Sequence, residues 1–108
     1  MGKELFAHAI HNSGPRAGGP FISLNCSALS PNLVEAELFG YEGGAFTDAD
    51  KRGRQGKFEF ANGGTLFLDE IGDIPISIQP KLSRAIEARR VTRVGGHMAI
   101  PLDFQVLG

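Results

Sequence analysis

An α/β fold is what the order of apolar runs predicts. Two runs, Phe21-Ile22-Ser23-Leu24 and Thr65-Leu66-Phe67-Leu68, are short and bounded by glycine or proline, as strands buried on both faces are. The stretches between and around them carry apolar residues at helical offsets or form glycine-rich loops. Strands that alternate with helices pair in parallel, which implies a layered α/β sandwich.

Each element has a local cause. From Glu4 to Asn12, Leu5 with Ala9 and Phe6 with Ile10 lie at helical offsets, and Asn12-Ser13-Gly14-Pro15 stops the helix. A loop from Gly14 to Pro20 leads into the first strand. Ser30-Pro31 places a capping residue before a proline whose missing N–H costs nothing at the first helical position, so a helix through Leu33, Val34 and Leu38 follows, ending near Gly40. Glu42 to Gly56 is rich in glycine and charge and has no apolar period, which predicts a long surface loop. After the second strand run, Ser77 is the expected cap of a helix with Ile78, Leu82, Ala85 and Ile86 on one face and Pro80 in its first turn. Val91 to Val94, the Gly95-Gly96 turn and the stretch from His97 onward suggest a hairpin, and Phe104-Gln105-Val106-Leu107 a last strand.

Bulk properties narrow the functional classes. With 108 residues the chain has room for one domain or a piece of one, and 42% hydrophobic with 21% charged residues is ordinary globular composition. A net charge of −1, with the basic residues dispersed, supplies no cationic field for nonspecific nucleic-acid binding, and no basic recognition helix is visible. The single cysteine, Cys26, cannot form an internal disulfide, which fits a reducing compartment, and no apolar run approaches a membrane span. A cytoplasmic location with no membrane contact is the expectation. His8, His11 and His97 lack metal-site spacing and receive no role, and Cys26 reads as a small buried hydrophobe.

The second strand run ends in Asp69-Glu70, at the strand edge where open α/β sheets bind ligands. In P-loop ATPases such a pair is the Walker B arrangement: the Asp supports Mg²⁺ beside the phosphates and the Glu orients the attacking water. Adjacent carboxylates on a strand end point to opposite sides, which lets them divide those tasks. The same residues also describe a solvated strand exit. Gly2-Lys3 before the first helix matches the tail of a phosphate-cradling loop. Asn25, at the end of the first strand, reads by itself as a cap of the following turn.

Taken together, FISLNCSAL (21–29), ELFGYEGGAFTDA (37–49), GKFEFANGGTLFLDEIGDIP (56–75) and RVGG (93–96) resemble, in order and spacing, the central AAA+ ATPase domain of sigma-54-dependent transcription activators. The resemblance covers essentially the whole chain. It implies a three-layer α/β/α sandwich of the P-loop AAA+ type, incomplete in this chain. Residues 1–108 would run from the end of Walker A to the strand before sensor I, without the first strand, the sensor I region and the lid.

The resemblance also implies a function: ATP-dependent remodelling of the sigma-54 RNA polymerase closed complex by a ring, usually a hexamer. DNA would be bound only through a separate C-terminal domain. Residue by residue, Gly2, Lys3 and Glu4 match the end of Walker A, and Asp69 and Glu70 match Walker B, with ATP and a water-bridged Mg²⁺ at Asp69 as cofactors. Asn25 matches the polar residue that pairs with the Walker B glutamate. Gly44, Ala45, Phe46, Thr47, Asp48 and Ala49 match the sigma-54-contacting loop, with Asp48 standing where the family has glycine, and Arg93 to Pro101 resembles a second surface loop. The alternative is a non-catalytic fragment or interaction module that keeps the fold without turning over ATP, and the 108 residues alone are expected to be inactive.

Overall fold

The computed structural model describes residues 2–28, 30–44 and 52–108, Ala28 by its backbone alone. Helix α1 (Gly2–Ser13) leads through a loop to strand β1 (Phe21–Asn25), a 3-10 turn (Cys26–Ala28) and helix α2 (Pro31–Phe39). Short strands β2 (Gly40–Tyr41) and β3 (Arg54–Gln55) and helix α3 (Lys57–Phe60) precede strand β4 (Thr65–Asp69). A 3-10 turn (Ile71–Asp73), helix α4 (Gln79–Ala88) and strands β5 (Arg90–Val91), β6 (Ile100–Pro101) and β7 (Gln105–Leu107) complete the order.

The main sheet is parallel, in the order β1-β4-β7, with Phe21 opposite Thr65, Asn25 opposite Asp69 and Thr65 opposite Gln105. Strand alternation divides β4 between two layers. Leu66 and Leu68 enter the large core with Val34, Leu38, Phe39, Phe58, Leu82 and Phe104, so α2, α3 and α4 cover that face. Thr65 and Phe67 look the other way, where α1 packs on β4. The result is the expected three layers, helix, sheet and helices.

Several elements differ from expectation for physical reasons. The first helix has the expected period but buries another face: Ala7 and His11 are its buried residues, whereas Leu5 and Phe6 are 72% and 71% exposed. Alanine lets the helix approach the sheet closely, and the Phe6 and Ile10 side opens onto a cleft beside β7. Ser77 does not cap α4; the cap position falls to Ile78, because the turn from Pro75 carries on as Ile78 N–H and Gln79 N–H both donate to the Pro75 carbonyl. The hairpin is confined to Arg90–Val91 against Ile100–Pro101, since Val94 pairs with Tyr41 instead. The loop predicted from Glu42 to Gly56 contains the β3 strand, which closes on β2 in antiparallel register.

That closure rests on two glycines. Gly40 adopts φ 76°, a conformation that side-chain-bearing residues rarely take, and a Cβ on Gly56 would lie 2.5 Å from both the Leu38 oxygen and the Phe39 carbonyl carbon. Gly56→Ala is therefore expected to force β3 away from β2 at a cost of about 2 kcal/mol or more. A denaturation midpoint unchanged in the full-length gene product would show that the strands part without penalty.

Candidate functional site

α1 runs opposite to the strands. His11, near its end, contacts Thr65 at the start of β4, while Gly2 and Lys3, at its beginning, line a cleft with Phe67, Leu107 and Gly108 at the strands' C-terminal side. Lys3 thus stands at the same sheet edge as Asp69 and Glu70. The cleft has a volume of about 640 Å³ and is walled by Phe6, Ala7, Ile10, Phe67 and Leu107; the two carboxylates lie outside its lining. Glu4 is exposed, with one carboxylate oxygen 4.0 Å from His8 Nε2.

Asp69 closes β4, and Glu70 does not share the strand. It sits at φ 58°, ψ 48°, the left-handed region, and its carbonyl accepts the Asp73 N–H at 3.0 Å to start the 3-10 turn. Because Glu70 has left the strand, strand alternation does not divide the two carboxylates, which corrects the sequence expectation. A glutamate in left-handed backbone is uncommon and costs on the order of 1 kcal/mol; such strain clusters at functional sites. Neither carboxylate has a hydrogen-bond or ion-pair partner among the described residues.

The electrostatics of this edge register on a neighbour. Burial pushes the Cys26 thiol pKa up, and the charges of Asp69 and Asp73 push it further the same way. Cys26 is buried, as expected. The negative field that adds to the effect of burial on the thiol is also what a cation at this edge would meet.

Asn25 stands beside Asp69 in the β1–β4 ladder, on the α1 face. Its Oδ1 accepts from the Ser27 N–H at 3.0 Å and from the Ser27 hydroxyl at 2.7 Å, so in this structure it caps the turn after its strand. Of the loop 44–49, Gly44 is described, at φ 77° and exposed; Ala45, Phe46, Thr47, Asp48 and Ala49 lie outside the described residues.

The stem of that loop is strongly braced. Glu42 N–H donates to the Val94 carbonyl and Val94 N–H to the Gly40 carbonyl, both at 2.9 Å. Arg93 forks onto Glu59, with Nε 3.0 Å from Oε2 and Nη2 2.9 Å from Oε1, and its Nη1 stands 3.5 Å from Glu42. The Glu59 hydrogen bonds raise the Arg93 pKa above its ordinary value against an opposing contribution from burial. Glu59, whose side chain is only 7% exposed, depends on this fork. Sequence reading gave neither Glu59 nor His11 a role; a single charge or imidazole in the sequence carries no sign of its burial.

A parallel three-layer sandwich, with a helix beginning Gly-Lys and a central strand ending in Asp69 with Glu70 just after it at one edge, defines an α/β fold of the P-loop AAA+ type. The chain belongs to the Sigma-54 interaction domain family, which matches residues 1–108. It is 57% identical over 106 residues to the sigma54-dependent transcriptional activator SfnR of Pseudomonas putida, covering 98% of this chain and 29% of that protein. It is 53% identical over 106 residues to a protein of Geobacillus stearothermophilus named limonene hydroxylase, covering 98% of this chain and 20% of the other. The crystal structure of NtrX from Brucella abortus superposes with a TM-score of 0.88 at 38% identity, covering 98% of this chain and 22% of that one. NtrX has also been crystallised with ATP, and that structure matches with a TM-score of 0.85 at 38% identity and the same coverage. The chain therefore spans between a fifth and a third of the length of these relatives.

Removing Arg93 leaves the Glu59 carboxylate buried and unpaired. Arg93→Ala is expected to destabilise the fold by on the order of 3 kcal/mol, and Glu59→Gln in the same chain to recover part of that loss. Equal denaturation midpoints for wild type and Arg93→Ala would mean that water replaces the fork.

Proposed function

We propose that this chain forms part of the ATPase core of a transcription activator that engages sigma-54 RNA polymerase and remodels it at the expense of ATP. The observation that carries the reading is the placement of Lys3, Asp69 and Glu70 at one edge of the sheet, with both carboxylates unpaired among the described residues and Glu70 in left-handed backbone. Family membership and the ATP complex of NtrX support it. The name of the Geobacillus protein describes a whole of which most has no counterpart in this chain.

In this reading Lys3 offers a point charge to the β- and γ-phosphates from the positive end of α1. Among the described residues no three His, Cys, Asp or Glu side chains cluster as a metal cage, and Mg²⁺ characteristically takes one or two carboxylates, substrate oxygens and waters instead. Asp69 fits that role through a bridging water, and Mg²⁺ so held would neutralise charge on the phosphates. Glu70 acts as the base that orients the attacking water. Asn25, adjacent to Asp69 in the ladder, is the residue through which the state of the carboxylate edge reaches β1 and the turn beyond it. Residues Gly44 to Ala49 make the contact with sigma-54, and the protein works as a ring.

Glu70→Gln in the full-length gene product is expected to keep ATP binding and slow hydrolysis by on the order of a hundredfold, because water orientation is lost while the phosphate contacts stay. Unchanged turnover in a steady-state phosphate-release assay would remove Glu70 from the mechanism.

Phe46→Ala is expected to abolish promoter-complex remodelling while ATPase activity persists, since that loop is remote in sequence from Lys3 and Asp69. Loss of ATPase activity together with the thermal transition would make Phe46 a core residue. Asp48→Gly restores the family glycine; sigma-54 binding tighter than wild type is the expected result, through relief of a stiffer, charged loop tip.

A further inference from the structure

α1 is seated on the sheet by very few contacts. Ala7 and His11 are its only buried residues among those described, and Ala7 contributes a single methyl group. His11 is 4% exposed, with Nδ1 2.7 Å from the Thr65 hydroxyl oxygen and Nε2 3.2 Å from the Gly19 carbonyl oxygen. A carbonyl only accepts, so Nε2 carries the proton of the neutral ring and Nδ1 accepts from the Thr65 hydroxyl. The Gln105 amide nitrogen, 3.5 Å from the same hydroxyl oxygen, stands on its accepting side. Donation thus runs one way through four segments, from β7 to β4 to α1 to the loop before β1. Phe21 of β1 completes the seat, stacked on His8 at 3.8 Å and edge-on to His11 at 5.4 Å.

The position of this clamp matters for the two ends it controls. His11 follows Lys3 by eight helical residues, about 12 Å at the helical rise. Thr65 precedes Asp69 by four strand residues, about 13 Å at the strand rise. Because α1 runs opposite to β4, the clamp lies equally far behind the lysine and behind the carboxylate. A tilt of α1 by about 5° at His11 would move Lys3 by about 1 Å, a displacement that can cost on the order of a hundredfold in rate when it misplaces reacting groups.

We propose that His11, acting through Thr65, is a positioning residue that sets the angle of α1 on the sheet and thereby the separation of Lys3 from Asp69 and Glu70. It touches no nucleotide. The inference rests on the nucleotide-site reading given under Proposed function.

The test uses the full-length gene product with three substitutions. Thr65→Val keeps the side-chain shape and removes the hydroxyl, His11→Phe keeps the ring and removes both hydrogen bonds, and His11→Asn keeps an acceptor near the Nδ1 position. Thr65→Val and His11→Phe are expected to lower kcat for ATP hydrolysis at least tenfold with less than a threefold change in KM, and His11→Asn to recover most of that loss. Amide hydrogen exchange along α1 is expected to be faster in the first two variants and near wild type in His11→Asn. Unchanged exchange in Thr65→Val and His11→Phe would overturn the clamp itself, and faster exchange with wild-type kcat would overturn its positioning role. A kcat loss that His11→Asn does not relieve, tracking the loss of folded protein, would reduce His11 to a packing residue. Glu70→Gln run in parallel separates the two readings: if it leaves turnover unchanged the nucleotide-site assignment fails, while exchange along α1 still decides the clamp.

Discussion

Strand β4 must satisfy two faces at once. Its residues Thr65 to Leu68 are all buried, and both backbone edges are paired, with β1 on one side and β7 on the other. Leu66 and Leu68 commit one face to the apolar core, and that commitment sends Thr65, Phe67 and Asp69 to the opposite face by the two-residue period of the strand. A slip of one residue would exchange the two sets, placing a threonine and an aspartate in the core and two leucines against α1. The register of this strand therefore fixes where the carboxylate emerges and where the polar partner of His11 lies.

The burial pattern also explains how much could be read from the chain. Strand β4 is legible because a strand covered on both faces needs a near-continuous apolar run after a break such as Gly63-Gly64; β1 has a similar run after Pro20 but buries only Leu24 and exposes Ser23, which corrects the expectation of a strand buried on both faces. The Asp69 position follows directly, since a charged residue after such a run marks the strand's exit. Helix α2 was legible from Pro31 at its first position, and its course to Gly40 was found as expected. What could not be read was the choice of helical face in α1: Leu5 and Phe6 compete with Ala7 for the sheet, and hydrophobicity favours the larger side chains. Closeness of approach favours alanine, and the buried imidazole completes the seat through partners that are distant in sequence, Thr65 being 54 residues away.

The same limit applies to the loop stem. A stretch without apolar period reads as loop, yet Arg54–Gln55 joins β2 through backbone hydrogen bonds that need no particular side chains. Its signal was instead in the glycines: Gly40 and Gly56 are required where two backbones meet closely, and sequence alone gives no indication that those two glycines face one another. The left-handed conformation of Glu70 is likewise invisible in sequence, because glycine or asparagine would be the local preference there.

Satisfaction of polar groups is distributed unevenly over the molecule, and that unevenness has a direction. At the loop stem Arg93, Glu59 and Glu42 are joined to one another and Val94 is tied into the backbone ladder, so the base of residues 44–51 is held from two sides. At the C-terminal edge of the sheet the carboxylates of Asp69 and Glu70 have no partner among the described residues, and Glu70 is held in a costly conformation. Asp69 is half-buried and Glu70 exposed, so both carboxylates keep contact with solvent, while burial foremost, and the charges of Asp69 and Asp73 after it, raise the pKa of the neighbouring Cys26 thiol. The stem is thus closed by pairs made within the protein, whereas the carboxylate edge, held by strand register on one side and by the left-handed backbone of Glu70 on the other, stays open to solvent.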